Sequence, residues 1–100
     1  MYVVVEFLDA DPAHRVALRT SLVMFAHAAL TGTSGCVAFD VGQDDLDGSA
    51  FLLYRRFEDK AAYSASLESP AYLAHRAQVD PWIKTRRTLT YESLTEAGVA

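Results

Sequence analysis

Four short segments rich in β-branched and aromatic residues, two Asp-Pro or Ser-Pro steps that start helices, and the order strand, helix, strand, strand, helix, strand predict an α+β fold. That order is the split βαβ arrangement called ferredoxin-like, an antiparallel sheet with its helices on one face. At 100 residues, 51% hydrophobic and 22% charged, the chain makes a single domain spanning 1–100, with 95–100 as a loose tail.

The elements follow from local chemistry. "YVVVEFL" (2–8) is the first strand. Asp11 then accepts from orphan N–H groups while Pro12 suits a first helical position, and Leu18, Leu22, Phe25 and Ala29 recur at helical spacing over about five turns. "TGTSG" (31–35) ends this helix, with Gly32 expected in the left-handed cap. "CVAFDV" (36–41) and "AFLLYRRF" (50–57) are strands joined through the polar "GQDDLDGS", an antiparallel hairpin with a long loop. Asp59 caps a short helix over 58–67, and Ser69-Pro70 starts another that runs to Val79, where Asp80-Pro81 breaks it. "RTLTYESL" (87–94) alternates and is the last strand.

Composition narrows the function classes. Nine basic against thirteen acidic residues give a formal charge of −4, which argues against nucleic acid as a partner. No apolar run approaches the roughly 20 residues of a membrane-spanning helix, and no basic residue precedes "VVV", so the expectation is a cytoplasmic protein without membrane attachment. Cys36 is the single cysteine, so neither an internal disulfide nor a clustered Cys/His metal site can form from it, and it is expected to be buried.

The strand faces carry a further implication. Val3, Val5 and Phe7 lie on one side of the first strand and Tyr2, Val4 and Leu8 on the other, and the third strand likewise sets Phe51 and Leu53 against Leu52 and Tyr54. One layer of helices covers one side only. Leaving about six such side chains in water at about 1.5–3 kcal/mol each would forfeit an amount comparable with a domain's whole stability, so a homodimer that covers the second face is expected.

"GCVAFDVGQDDLDGSAFLLYRRFEDKAAYSASLESPAYLAH" resembles the central signature of the antibiotic biosynthesis monooxygenase family of dimeric α/β barrels: Gly-Cys, a strand, a variable hairpin, an aromatic-Leu-Tyr strand, an acidic turn, Ala-Ala and Ser-Pro. The resemblance spans about residues 2 to 94 and implies a dimeric ferredoxin-like barrel. Some members oxidise phenolic or quinol-type aromatics without flavin, haem or metal, and others isomerise or degrade small signalling molecules. Where many relatives carry a glutamate after Leu-Tyr, this chain has Arg55; where they carry histidines around the Ser-Pro step, it has Ser66 and Ala71. Against the quinol-oxidising members, Tyr63 matches their helical tyrosine and Arg76 a later arginine, while Phe57 stands at their strand-end tryptophan and Leu53 at their strand asparagine.

The resemblance therefore implies Tyr63 and Arg76 as catalytic residues acting on an aromatic or polyketide-like small molecule, and Phe57, Trp82 and Arg55 are the substrate-binding candidates, the two aromatics as walls of an apolar pocket. No phosphate-binding loop or nucleotide fingerprint is present, so a redox step is expected to run without a cofactor or metal. An ionised, electron-rich phenol can itself reduce oxygen, given a dry aromatic pocket, a group to relay the proton and a fixed cation. The bland readings are a half-buried helix tyrosine for Tyr63, a surface or interface arginine for Arg76, core for Trp82, solvation of one of Arg55 and Arg56, a half-buried His27 and an exposed Asp40. The functional alternative is a dimer that binds a small molecule without converting it.

Overall fold

The computed structural model describes residues 1–95. Its strands are β1 (Tyr2–Ala10), β2 (Cys36–Gln43), β3 (Ala50–Phe57) and β4 (Ile83–Glu92), and its α-helices are α1 (Arg15–Gly32), α2 (Lys60–Ser66) and α3 (Pro70–Val79). The strands form one antiparallel sheet in the order β2-β3-β1-β4, the ferredoxin-like arrangement. The proposed tail, apart from Thr95, lies outside the described residues.

Period-2 alternation sorts the sheet into two faces. Tyr2, Val4, Glu6, Leu8 and Ala10 of β1 are buried, as are Phe51, Leu53, Arg55 and Phe57 of β3. The core forms where these side chains meet Leu18, Leu22, Ala26 and Ala29 of α1 and Val79 of α3. On the opposite face the register sets Phe7 against Leu52 and Arg87, and Val5 against Tyr54 and Leu89. Phe7, Leu52 and Tyr91 on that face stay exposed, as two apolar faces under one helical layer require.

The local signals work as chemistry dictates. Asp59 accepts from the Ala62 N–H and Ser69 from the Tyr72 N–H, capping α2 and α3, and Pro70 opens α3. Asp11 accepts from the Ala13 N–H, but the turn it starts is a 3₁₀ turn over Pro12–His14 that only then passes into α1.

Three expectations need correction. Gly32 does not take a left-handed cap; it is the last helical residue, and the positive φ of 80° belongs to Gly35. A Cβ there would also lie 2.6 Å from the Ala62 Cβ, so glycine lets the β2 entrance pass beneath α2. The last strand begins at Ile83 rather than 87, because β1 extends to Ala10 and pairs with β4 along its whole length across an irregularity at Asp9/Ala10. His27 is exposed, as are Val16, Val23 and Leu30 of its stripe, which runs outside the core and borders the β2 edge of the sheet.

Candidate functional site

The centre of the helix-covered face is charged. Glu6 on β1 and Arg55 on β3 are each 3% exposed and form a salt bridge. Glu6 stands opposite Leu53 and Arg55 opposite Val4, so the pair is diagonal across neighbouring strands, a reach that long side chains span. The second Glu6 oxygen accepts from Arg86 Nη1 on β4 at 2.7 Å, with the Thr88 hydroxyl at 3.4 Å. Arg86 also donates to Asp80 at 3.0 Å, Asp80 accepts from Arg76 Nε at 2.8 Å, and Arg76 Nη1 donates to the Tyr72 hydroxyl at 2.9 Å. A chain of five charged groups thus runs from Arg55 to Tyr72.

Both ends of that chain return to one pocket. It lies between α1, α2–α3 and the sheet, and its lining includes Phe25, Cys36, Phe39, Arg55, Phe57 and Tyr72. Its room, about 10 Å³, matches about one water-sized group. Aromatic faces surround the Arg55 guanidinium, whose carbon is 5.6 Å from the ring centre of Phe39, 5.9 Å from Phe57 and 5.6 Å from Tyr63. Arg55 Nε is buried without a hydrogen-bond partner.

Burial sets the protonation of the neighbours. It pushes the Cys36 thiol and the Tyr63 hydroxyl upward, against the opposing charge of Arg55, so both keep their protons. Burial, helped by Arg86, depresses His75 to about 4, leaving it neutral and stacked on Phe25 at 4.0 Å. For Asp80 burial works upward, but the hydrogen bonds and charges of Arg76 and Arg86 outweigh it and hold the carboxyl below its usual range.

The structure brings Arg55, Phe57 and Tyr63 together. Tyr63 packs on Phe57 at 5.3 Å and Tyr2 at 5.6 Å between ring centres. Arg76 is half-buried and reaches the pocket only through Tyr72. Trp82 lies elsewhere: its carbonyl accepts from the Asp11 N–H and its ring stacks on His14, beside the end of β1 where Ala10 pairs with Ile83. Tyr2, next to Tyr63, is at the opposite end of that strand, about 26 Å away at ~3.3 Å per residue. Trp82 therefore cannot wall the same small pocket within one chain. Neither Arg55 nor Arg56 is simply solvated, because Arg55 is enclosed and Arg56 keeps a buried, unpartnered Nη2. Asp40 is exposed.

Sequence reasoning missed Glu6, Arg86, Tyr72 and His75. The available signal was Glu6 itself, an acid at an inward position between Val4 and Leu8, with an arginine inward on the next strand.

Residues 1–78 match the family described as antibiotic biosynthesis monooxygenase, and the chain belongs to that family. Among solved structures it is similar to Rv0793 from Mycobacterium tuberculosis, at 26% identity over 97% of this chain and 98% of that one, with a TM-score of 0.85. It is also similar to a Nitrosomonas europaea protein named as a candidate antibiotic biosynthesis monooxygenase, at 24% identity over 95% and 100% of the two chains and a TM-score of 0.88. PA3566 from Pseudomonas aeruginosa shares 20% identity over 94% of each chain, with a TM-score of 0.83. No curated protein matches in sequence. Among the described residues no helix is long and apolar enough to cross a membrane, and no three His, Cys, Asp or Glu side chains are placed to hold a metal ion.

One pH effect follows from His75. Its folded pKa, about 4, lies below the ordinary 6.5, so its contribution to stability is complete above about pH 6.5 and is lost as pH falls toward 4. His75→Phe keeps a ring on Phe25 and removes the titration. The urea midpoint of the parent should fall more steeply than the variant's between pH 6.5 and 4, and parallel curves would contradict this assignment.

Proposed function

We propose that this protein is a cofactor-independent monooxygenase that acts on a small phenolic or quinol-type aromatic at the pocket between the sheet and α2–α3. The observation that carries the reading is the enclosed Arg55 guanidinium, ringed by aromatic faces and holding one N–H without a partner. A fixed cation in a dry pocket stabilises a phenolate far better than water-exposed charge does, because the donor is already oriented when the anion forms. The phenolate gives one electron to dioxygen, the radical pair joins ring carbon to oxygen, and protonation then loss of water leaves a quinone. Tyr63, kept protonated by burial, relays the proton; Phe57 forms a wall; Arg76 acts by fixing Tyr72.

A homodimer belongs to the same proposal. Phe7 is 47% exposed and Tyr91 53% on a sheet face that also carries Leu52 and Val5, and a second copy of the chain, presenting the same apolar face, is the proposed cover. The second functional reading, a dimer that binds a ligand without converting it, draws support from the tightness of the pocket.

Oxygen uptake with a panel of quinols tests the chemistry. Tyr63→Phe should lower turnover of an accepted quinol by about 10²–10³-fold, the usual effect of removing a donor aimed at the reacting group, and Arg76→Ala, which acts through Tyr72, should lower it by a smaller factor. Parental rates in both variants would contradict the assignment, and no uptake with any quinol would put the binding reading ahead. Sedimentation should give twice the 11.0 kDa chain mass for the parent and a single chain mass for a Phe7→Glu, Leu52→Glu variant; a monomeric parent would contradict the dimer.

A further inference from the structure

Two spaces meet where the end of α1 passes the α2–α3 pair. The outer one is a cleft of about 480 Å³ bordered by Ser34, Ala65, Pro70 and Ala71, all exposed. The inner one is the pocket on Arg55, with its room of about 10 Å³. Thr33, Ser66 and Ser69 line both. The cleft has the size of a small-molecule site, about 300–1,000 Å³, whereas the inner pocket takes about one water-sized group. A ligand that fills both has its body in the cleft and one terminal atom inside.

The chemistry of the inner end selects that atom. The Ser66 hydroxyl donates to the Tyr63 carbonyl at 2.6 Å, and the Ser69 hydroxyl donates to the Ser66 carbonyl at 2.8 Å, so both are occupied. Arg55 Nε is a free donor, and the Tyr72 hydroxyl, already accepting from Arg76, has its own proton left to give. The surrounding charge is unbalanced. Three arginines, from β3, α3 and β4, stand against two carboxylates, Glu6 on β1 and Asp80 after α3. The other titratable groups nearby, Cys36 on β2, Tyr63 on α2 and His75 on α3, are uncharged near neutrality.

We propose that the inner pocket is an oxyanion seat: the ionised oxygen of an acidic phenol enters it and accepts from Arg55 Nε, with Tyr72 as a second donor, while the ring lies in the outer cleft between α1 and α3. The ring rests on the small-aromatic reading above, and the seat rests on Arg55. Substrates are then monocyclic or elongated phenols that ionise readily, and an O-methylated analogue is excluded because its ether oxygen carries neither charge nor room.

The probe is 4-nitrophenol, whose anion absorbs visible light, with 4-nitroanisole as the blocked comparator. Bound dye should ionise about one pH unit below free dye, a tenfold gain in the ionised-to-neutral ratio, and nitroanisole should bind at least tenfold more weakly. The charge-balanced variant Glu6→Leu, Arg55→Met should lose the shift. Thr33→Phe, which fills the junction at a half-buried position and leaves the ion pair alone, should lose it too. Dye that binds and titrates as in free solution, a shift that survives both variants, or no binding at millimolar dye would each overturn the seat. A protein that shifts the dye but oxidises no quinol loses the oxygenase reading and keeps the seat.

Discussion

The salt bridge between Glu6 and Arg55 is the constraint around which the rest of the structure is arranged. Each ion loses several kcal/mol of hydration when it is taken inside a protein, so neither can stay charged there unless its partners are held in place. Those partners come from β1, β3 and β4, with Asp80 and Arg76 continuing the chain to α3. The three strands must therefore keep their register, because a one-residue slip would turn Glu6 or Arg55 to the opposite face and leave its partner buried alone.

The same constraint shapes the pocket. Arg55 sits among Phe39, Phe57 and Tyr63 with Nη2 bonded to the Glu6 carboxylate and Nε without a partner, so its donors are only partly used. In the family signature that this sequence resembles, an acid follows Leu-Tyr on the third strand. Here that position is Arg55, and the acid facing it comes from the neighbouring strand as Glu6. The charge pattern of the site is rewritten within an unchanged fold. Tyr63 and Cys36, beside the Glu6–Arg55 pair, are kept protonated by burial and add no charge to it.

Most of the fold was legible because each element announces itself locally. The caps at Asp59 and Ser69, the prolines behind them and the two-faced strands need no distant information. Boundaries that depend on a partner strand were not legible: Ile83 to Arg86 joins β4 through pairing with the end of β1, and nothing in "IKTR" alternates clearly. Gly35 rather than Gly32 takes the positive φ, and the need for a glycine there includes the close approach of Ala62, a contact far along the chain. The site was legible in part. Arg55, Phe57 and Tyr63 converge, while Trp82 is set apart by the length of β1, and Glu6 lay hidden in an apolar strand because its role exists only when Arg55 and Arg86 arrive from the flanking strands.

A double-mutant cycle on the buried pair measures this dependence directly. Glu6→Leu or Arg55→Met alone strands one buried charge and should cost about 3–5 kcal/mol, whereas both together replace the pair by apolar groups and should cost less than either single change. Chemical denaturation of the four proteins gives the cycle. A double variant less destabilised than each single one is the predicted result, and losses that simply add would show that the two residues do not hold one another in place.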